Sequence, residues 1–275
     1  ASTSNMTEFI IIGPFQGTEV QRACFVLFLP IYLATLVSNG LTVLTVSVSE
    51  CLCSPMYIFL GYLSLVEICY SSTVVPKFIA DLLTEIKTIS LQGCLAQIFF
   101  LHSFLSLLVV MAYDHYMAIC RPLHYTNNMI HQLCYMLVAG SWLRGFILVT
   151  IALPFCSHNV IDHYFCDLQL FFNGLMSVLS LLILVCSYIV MLVSLRNHSA
   201  EGRHKALSIY ASHITVVILC YRPATFLYMR GSSTFTRDKL VAVFYSVITP
   251  MVNRIIYTLR NAEVKIAMRK LWNTK

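Results

Sequence analysis

The sequence predicts an all-α membrane protein, a seven-transmembrane helix bundle that ends in a short C-terminal amphipathic helix. Three observations predict it. Hydrophobic residues make up 58% of the 275-residue chain and charged residues only 11%, whereas soluble domains run about 45–50% and about 25%. Seven apolar stretches each reach the roughly 20 residues that cross about 30 Å of hydrocarbon as a helix. Short polar turns separate them, with no Gly- or Ser-rich linker, internal repeat or low-complexity tract between. Apolar side chains in such excess must face lipid rather than a water-bounded core.

Each element follows in order. Residues 1–22 are too polar for the apolar region of a secretory signal, so the first helix is expected to direct insertion. This leading segment carries the triplet "NMT", Asn5 to Thr7, a glycosylation sequon that functions only on the lumenal side. Helices are predicted over 23–48, 56–80, 95–120, 133–154, 171–195, 206–229 and 240–259. All are too long for strands, and backbone groups in lipid must find partners within their own segment. A last piece, "NAEVKIAMRKLW" at 261–272, places Val264, Ala267, Met268 and Leu271 at helical spacing opposite Lys265 and Arg269. That pattern suits a helix lying on the membrane surface. The organisation is an extracellular segment (1–22), a transmembrane domain (23–259) and a cytoplasmic tail (260–275).

The net charge of +6 points to the membrane and not to nucleic acid, because the basic residues are scattered through loops and gathered at the C-terminus, as beside an anionic inner leaflet. With the N-terminus outside, inner segments hold nine basic residues and outer segments six, the bias expected of this orientation. The other three, Arg144, Arg222 and Arg254, fall inside predicted helices. A transporter or channel using them would need paired acids and broken helices of inverted symmetry, and neither is found. No Asp or Glu lies in the fourth, sixth or seventh helix, so unpartnered the three would cost about 8–10 kcal/mol together on insertion scales.

Of eleven cysteines, three face outward: Cys94, Cys156 and Cys166. The outside is oxidising, which allows a Cys94–Cys166 bridge and leaves Cys156 over. The segment "CSHNVIDHYFC" adds His158 and His163, but its spacing matches no closed metal motif, and no metal or cofactor is expected. An intramembrane enzyme would need a nucleophile–base pair, and His102 and His213 have no partner at helical spacing.

The segment "MAYDHYMAICRPLHY" (111–125) closes the third helix with a compact polar cluster. It closely resembles the signature of vertebrate olfactory receptors, within the rhodopsin-like G-protein-coupled receptors. The resemblance covers almost the whole chain. It runs through "SNG", "SPMYIFLGYLSLVE", "LPFCSHNVIDHYFCD", "SYIVML", "HSAEGRHKALS" with "ASHITVV", and "PMVNRIIYTLRNAEVK", in the family's order.

The resemblance implies an odorant receptor of the plasma membrane, N-terminus outside, in olfactory cilia. It implies coupling to a heterotrimeric, stimulatory olfactory-type G protein that raises cyclic AMP. Asn39, Glu67 and Asn253 are expected to hydrogen-bond one another, or ordered water between helices, at membrane depth. With Asp114, His115, Tyr116, Tyr188 and Tyr257 they form the implied activation and coupling set, which opens an inner cleft by a shift between two packings. The implied ligand is a small volatile odorant between the outer halves of helices three, five, six and seven. Candidates by position are Phe99, His102, Asn173, Met176, Tyr221, Thr225, Tyr228 and Ser246, mostly apolar walls with a few orienting groups.

The chain departs from the family at several positions. His115 stands where the family usually has Arg, so the guanidinium fork is lost. Arg254 replaces the proline of an Asn-Pro-x-x-Tyr pattern, Arg222 precedes Pro223, and Arg144 interrupts the fourth helix. Cys94 to Asp114 spans 20 positions, about one turn short of the family spacing, and the fourth helix and the second outer loop also look shortened. These departures define an alternative reading, a degenerate receptor-gene product with impaired folding or coupling.

Overall fold

The computed structural model describes residues 8–11, 18–49, 54–84, 88–152, 160–161, 170–196, 203, 207, 211–221, 247–257 and 266. Membrane helices run α1 (Thr18–Val48), α2 (Pro55–Asp81), α3 (Leu91–Cys120), α4 (His131–Ala152) and α5 (Leu170–Leu195). The described parts of α6 and α7 are Ala211–Tyr221 and 247–257. Five helices are long and apolar enough to cross a bilayer, and Ala211–Tyr221 is a shorter apolar segment. The predicted seven-helix bundle is the architecture of the chain. Of the amphipathic C-terminal piece, only Ile266 falls among the described residues, in helical conformation.

Local chemistry sets the helix starts. Ser54 is extended and Pro55 opens α2 at its first turn, where a missing N–H costs nothing. Ser90 caps α3, its Oγ accepting from the Gly93 N–H at 3.2 Å, which satisfies one of the first-turn donors. α1 begins at Thr18, five residues before the predicted 23. Pro30 and Pro76 lie within α1 and α2, tolerated because neighbouring helices stabilise membrane segments.

The shortened spacing in the third helix does not leave it too short. α3 has 30 residues and α4 has 22, about 45 and 33 Å at ~1.5 Å per residue. Both exceed the hydrocarbon thickness. The first turn of α3, Leu91 to Gly93, lies ahead of Cys94.

α3 is the axis of the bundle. In its most apolar window 61% of residues are buried, against 22% in α1 and α5. One apolar cluster centres on α2 and α3 through Phe59, Leu63, Leu107, Leu108 and Met111. A second, around the N-terminal end of α3, joins Phe28, Val75, Phe78, Cys94, Ile98 and Val247, with Phe28 and Phe78 edge to face at 5.3 Å. The exposed apolar faces, such as Val26, Leu33 and Val37 on α1 and Leu182, Ile183 and Ile189 on α5, are the surface that lipid covers.

Composition had no signal for a small sheet. Three short strands, β1 (Glu8–Ile11), β2 (Thr88–Ser90) and β3 (Val160–Ile161), pair in the order β2-β1-β3. β1 is antiparallel to β2, with Phe9 opposite Ile89, and parallel to β3, with Ile10 opposite Val160. The leading segment is thus tied to the loops before α3 and before α5. This places β1 on the same face as both loops.

Candidate functional site

Among the described residues, three groups of polar side chains lie inside the bundle. The first joins α1, α2 and α7. Glu67 is fully buried. One carboxylate oxygen accepts from Asn253 Nδ2 at 2.9 Å, and the other from Arg254 Nη2 at 3.4 Å. Asn39 lies against the same carboxylate, and its Nδ2 donates to the Thr35 carbonyl of its own helix at 3.1 Å. Asn39, Glu67 and Asn253 are therefore brought together, with a fourth member that sequence reasoning placed outside the group.

That member corrects an expectation. Arg254 has no acid on its own helix, yet it is not unpartnered, because its counter-charge comes from α2. Arg144 is similarly engaged across helices. Its Nη2 donates to Ser180 Oγ at 2.8 Å and to the Met176 carbonyl at 3.3 Å, both on α5. The summed penalty for bare arginines therefore does not apply to Arg254, whose charge is paired, while Arg144 meets neutral acceptors among the described residues. Arg222 lies outside the described residues. Periodicity could not have found these partners, since i,i+3 and i,i+4 spacing reports only neighbours on one helix.

The second group lies at the C-terminal end of α3. Asp114 and His115 are both buried, 1% and 6% exposed. Asp114 does not depend on its neighbour: Tyr125, just beyond the helix, donates its hydroxyl to Asp114 Oδ1 at 2.8 Å. His115 Nδ1 stands 4.0 Å from the other oxygen, beyond hydrogen-bond range. Burial, and then the Asp114 charge, push the Tyr125 phenol above its ordinary range, so it remains a donor at neutral pH.

His115 turns instead toward α6. Its ring meets His213 edge to face, with centroids 5.0 Å apart. His213 Nδ1 and Tyr188 Oη of α5 lie 2.9 Å apart in a hydrogen bond whose direction the tautomer decides. Three helices are joined through His115, His213 and Tyr188. Tyr257 of α7 is buried, and Tyr116 is half-buried against the central apolar cluster. His213 and Tyr125 are the participants that sequence reasoning missed. Their partners sit on other elements, so no spacing rule announces them.

The third group lies between the middles of α3, α4, α5 and α6. Tyr221 is buried and donates to the Leu105 carbonyl at 3.3 Å. Phe99 stacks edge to face on Trp142 at 6.3 Å, and His102 is buried one turn further along α3. Met176 is half-buried on α5, its carbonyl receiving both Arg144 and Ser180. The side chain of Asn173, and all of Thr225, Tyr228, Ser246, Cys156, Cys166 and Asn5, lie outside the described residues. Cys94 is disulfide-bonded, and its partner is not among the described residues.

α4 reaches this region through Gly145. A Cβ there would stand 2.4 Å from Ser103 Oγ and 2.8 Å from the Phe99 carbonyl oxygen, so only glycine lets the two helices approach so closely. A groove of about 450 Å³ lies elsewhere, between α1, α2 and α4, bordered by Val46, Gly61, Tyr62 and Tyr135. It is separate from the expected ligand residues.

The sequence matches the model of a family described as olfactory receptor over residues 28–275. It is 67% identical to human Olfactory receptor 4B1 over 302 aligned residues, covering 100% of this chain and 98% of that protein. It is 61% identical to mouse Olfactory receptor 4B13, covering 100% and 99%, and 48% identical to human Olfactory receptor 4S2, covering 98% and 95%. The first alignment runs to 302 positions and the chain supplies 275 of them, so roughly 27 positions of that relative have no counterpart here.

Proposed function

Because this chain belongs to the olfactory receptor family, the odorant-sensing G-protein-coupled receptors of the membrane, we propose that it detects a small volatile odorant and couples to a stimulatory olfactory-type G protein, raising cyclic AMP. It is not an enzyme. The observation that carries the coupling reading is the contact of α3, α5 and α6 through His115, His213 and Tyr188. A G-protein helix enters by parting the inner ends of such helices, and a shared buried contact of this kind has two discrete states, made and broken.

In this reading the N-terminus is outside, Asn5 carries glycan, and Cys94 pairs with Cys166 over the bundle in olfactory cilia. Phe99, His102, Asn173, Met176, Tyr221, Thr225, Tyr228 and Ser246 line the odorant site. Asn39, Glu67, Asp114, His115, Tyr116, Tyr188, Asn253 and Tyr257 carry the switch. A display measurement on unpermeabilised cells, using an N-terminal tag, tests orientation and export. A cyclic AMP screen of the displayed chain, with and without His115→Arg, tests coupling. Odorant-dependent cyclic AMP in either supports the reading, and a displayed chain silent in both would sink it.

One observation favours a second reading, a receptor-derived chain with impaired folding or coupling: the roughly 27 positions absent relative to a 67% identical receptor. Intracellular retention of the chain, alongside normal display of a version with those positions restored, would select it.

A further inference from the structure

Arg144 stands in the apolar run "GSWLRGFILV" of α4, and its surroundings are neutral. Both of its hydrogen bonds leave from Nη2, to Ser180 Oγ and the Met176 carbonyl. Ser180 itself donates to that same carbonyl at 2.8 Å, so hydroxyl and carbonyl form one rigid seat on α5. That seat holds the guanidinium in place, but two neutral acceptors do not cancel its charge. Among the described residues no carboxylate pairs with it. Glu67 is taken by Arg254, Asp114 by Tyr125, and Asp81 by Lys77.

The other side of the seat is the expected ligand region. Tyr221 of α6 stands within electrostatic reach of Arg144 and beside Ser180, and its hydroxyl is tied to Leu105 of α3. α4, α5 and α6 thus meet at one cation whose Nη1 and Nε donors make no bond to described residues. A charge in a low-dielectric site attracts an opposite charge far more strongly than it does in water. A planar guanidinium also offers a fork matched to a carboxylate.

We propose that Arg144 is a specificity-determining residue, the cation that receives the carboxylate head of an apolar acid lodged between α3, α5 and α6. Met176, Tyr221 and Phe99 border the tail, and Ser180 positions the guanidinium. This rests on the odorant-binding reading and names the chemical class that site selects. The sequence alone presents Arg144 as damage to a helix; its cross-helix seat makes it a recognition group.

The test is ligand-induced thermal stabilisation of the full chain in lipid nanodiscs, which needs no G protein. The probes are hexanoate, octanoate and decanoate, each against the alcohol of the same length. The expected result is that acids stabilise the chain at concentrations about tenfold or more below the alcohols, the usual reach of a charged hydrogen bond. Arg144→Met abolishes that preference, and Arg144→Lys retains part of it. Arg144→Gln, which can keep the bonds to Ser180 and Met176, replaces the Met variant if that one does not fold.

Equal responses to acids and alcohols, or an acid preference that survives in both uncharged variants, overturn the proposal and leave odorant binding standing. Silence toward both series by a displayed, folded chain overturns the odorant-binding reading along with it.

Discussion

Arg254 on α7 donates to Glu67 on α2 across 3.4 Å, with the two side chains 2% and 0% exposed. The pair closes a link between helices whose residues lie 187 positions apart in sequence. Where the resemblance leads one to expect a proline, α7 carries a charged tether to α2. Desolvating two charges is costly, and their mutual attraction offsets that only while both are present.

Removing one partner should therefore be worse than removing both. Glu67→Gln leaves a buried guanidinium without counter-charge and should lower stability by about 3–5 kcal/mol. The double variant Glu67→Met with Arg254→Met should recover most of that loss. Thermal melting in nanodiscs checks it. If the two single changes simply add in the double variant, the pair is not coupled.

Two glycines on α4 should respond with opposite signs. Gly145→Ala drives a Cβ against Ser103 and the Phe99 carbonyl and should cost about 1–3 kcal/mol through forced separation of α3 and α4. Gly140→Ala meets nothing within 4 Å and should gain up to about 1 kcal/mol from helix propensity. Melting curves of the two variants beside the parent decide it.

The Tyr188–His213 hydrogen bond should be measurable as a coupling. Tyr188→Phe and His213→Phe each remove one end, and a double-mutant cycle should return about 0.5–1.5 kcal/mol. A coupling indistinguishable from zero would mean that α5 and α6 are held at this level by packing alone.

Cys94 is bonded, and the loss of a native disulfide typically costs about 2–5 kcal/mol. Cys94→Ser should sharply reduce cell-surface display. Cys166→Ser should do the same and Cys156→Ser should not, if the proposed pairing is the right one. Peptide mapping without reduction gives an independent answer: a Cys94–Cys156 peptide would replace the proposed bridge.

The sequence by itself determined the seven apolar spans, the polar clusters at helix ends and the family they belong to. Composition and periodicity report how one segment meets lipid. They do not report which face of a helix meets which neighbour. It was legible that Glu67 and Asn253 sit at membrane depth, but not that Arg254 shares the carboxylate, because the acid and the base lie on different helices. For the same reason Arg144 read as a defect until α5 supplied Ser180, and His213 had no evident partner until α3 and α5 supplied His115 and Tyr188. The strand at Glu8–Ile11 had no signal either, since its pairing partners are two loops far along the chain. Lipid exposure is a property of each segment alone, whereas charge compensation and hydrogen bonding between helices depend on their rotation and depth, which only packing decides.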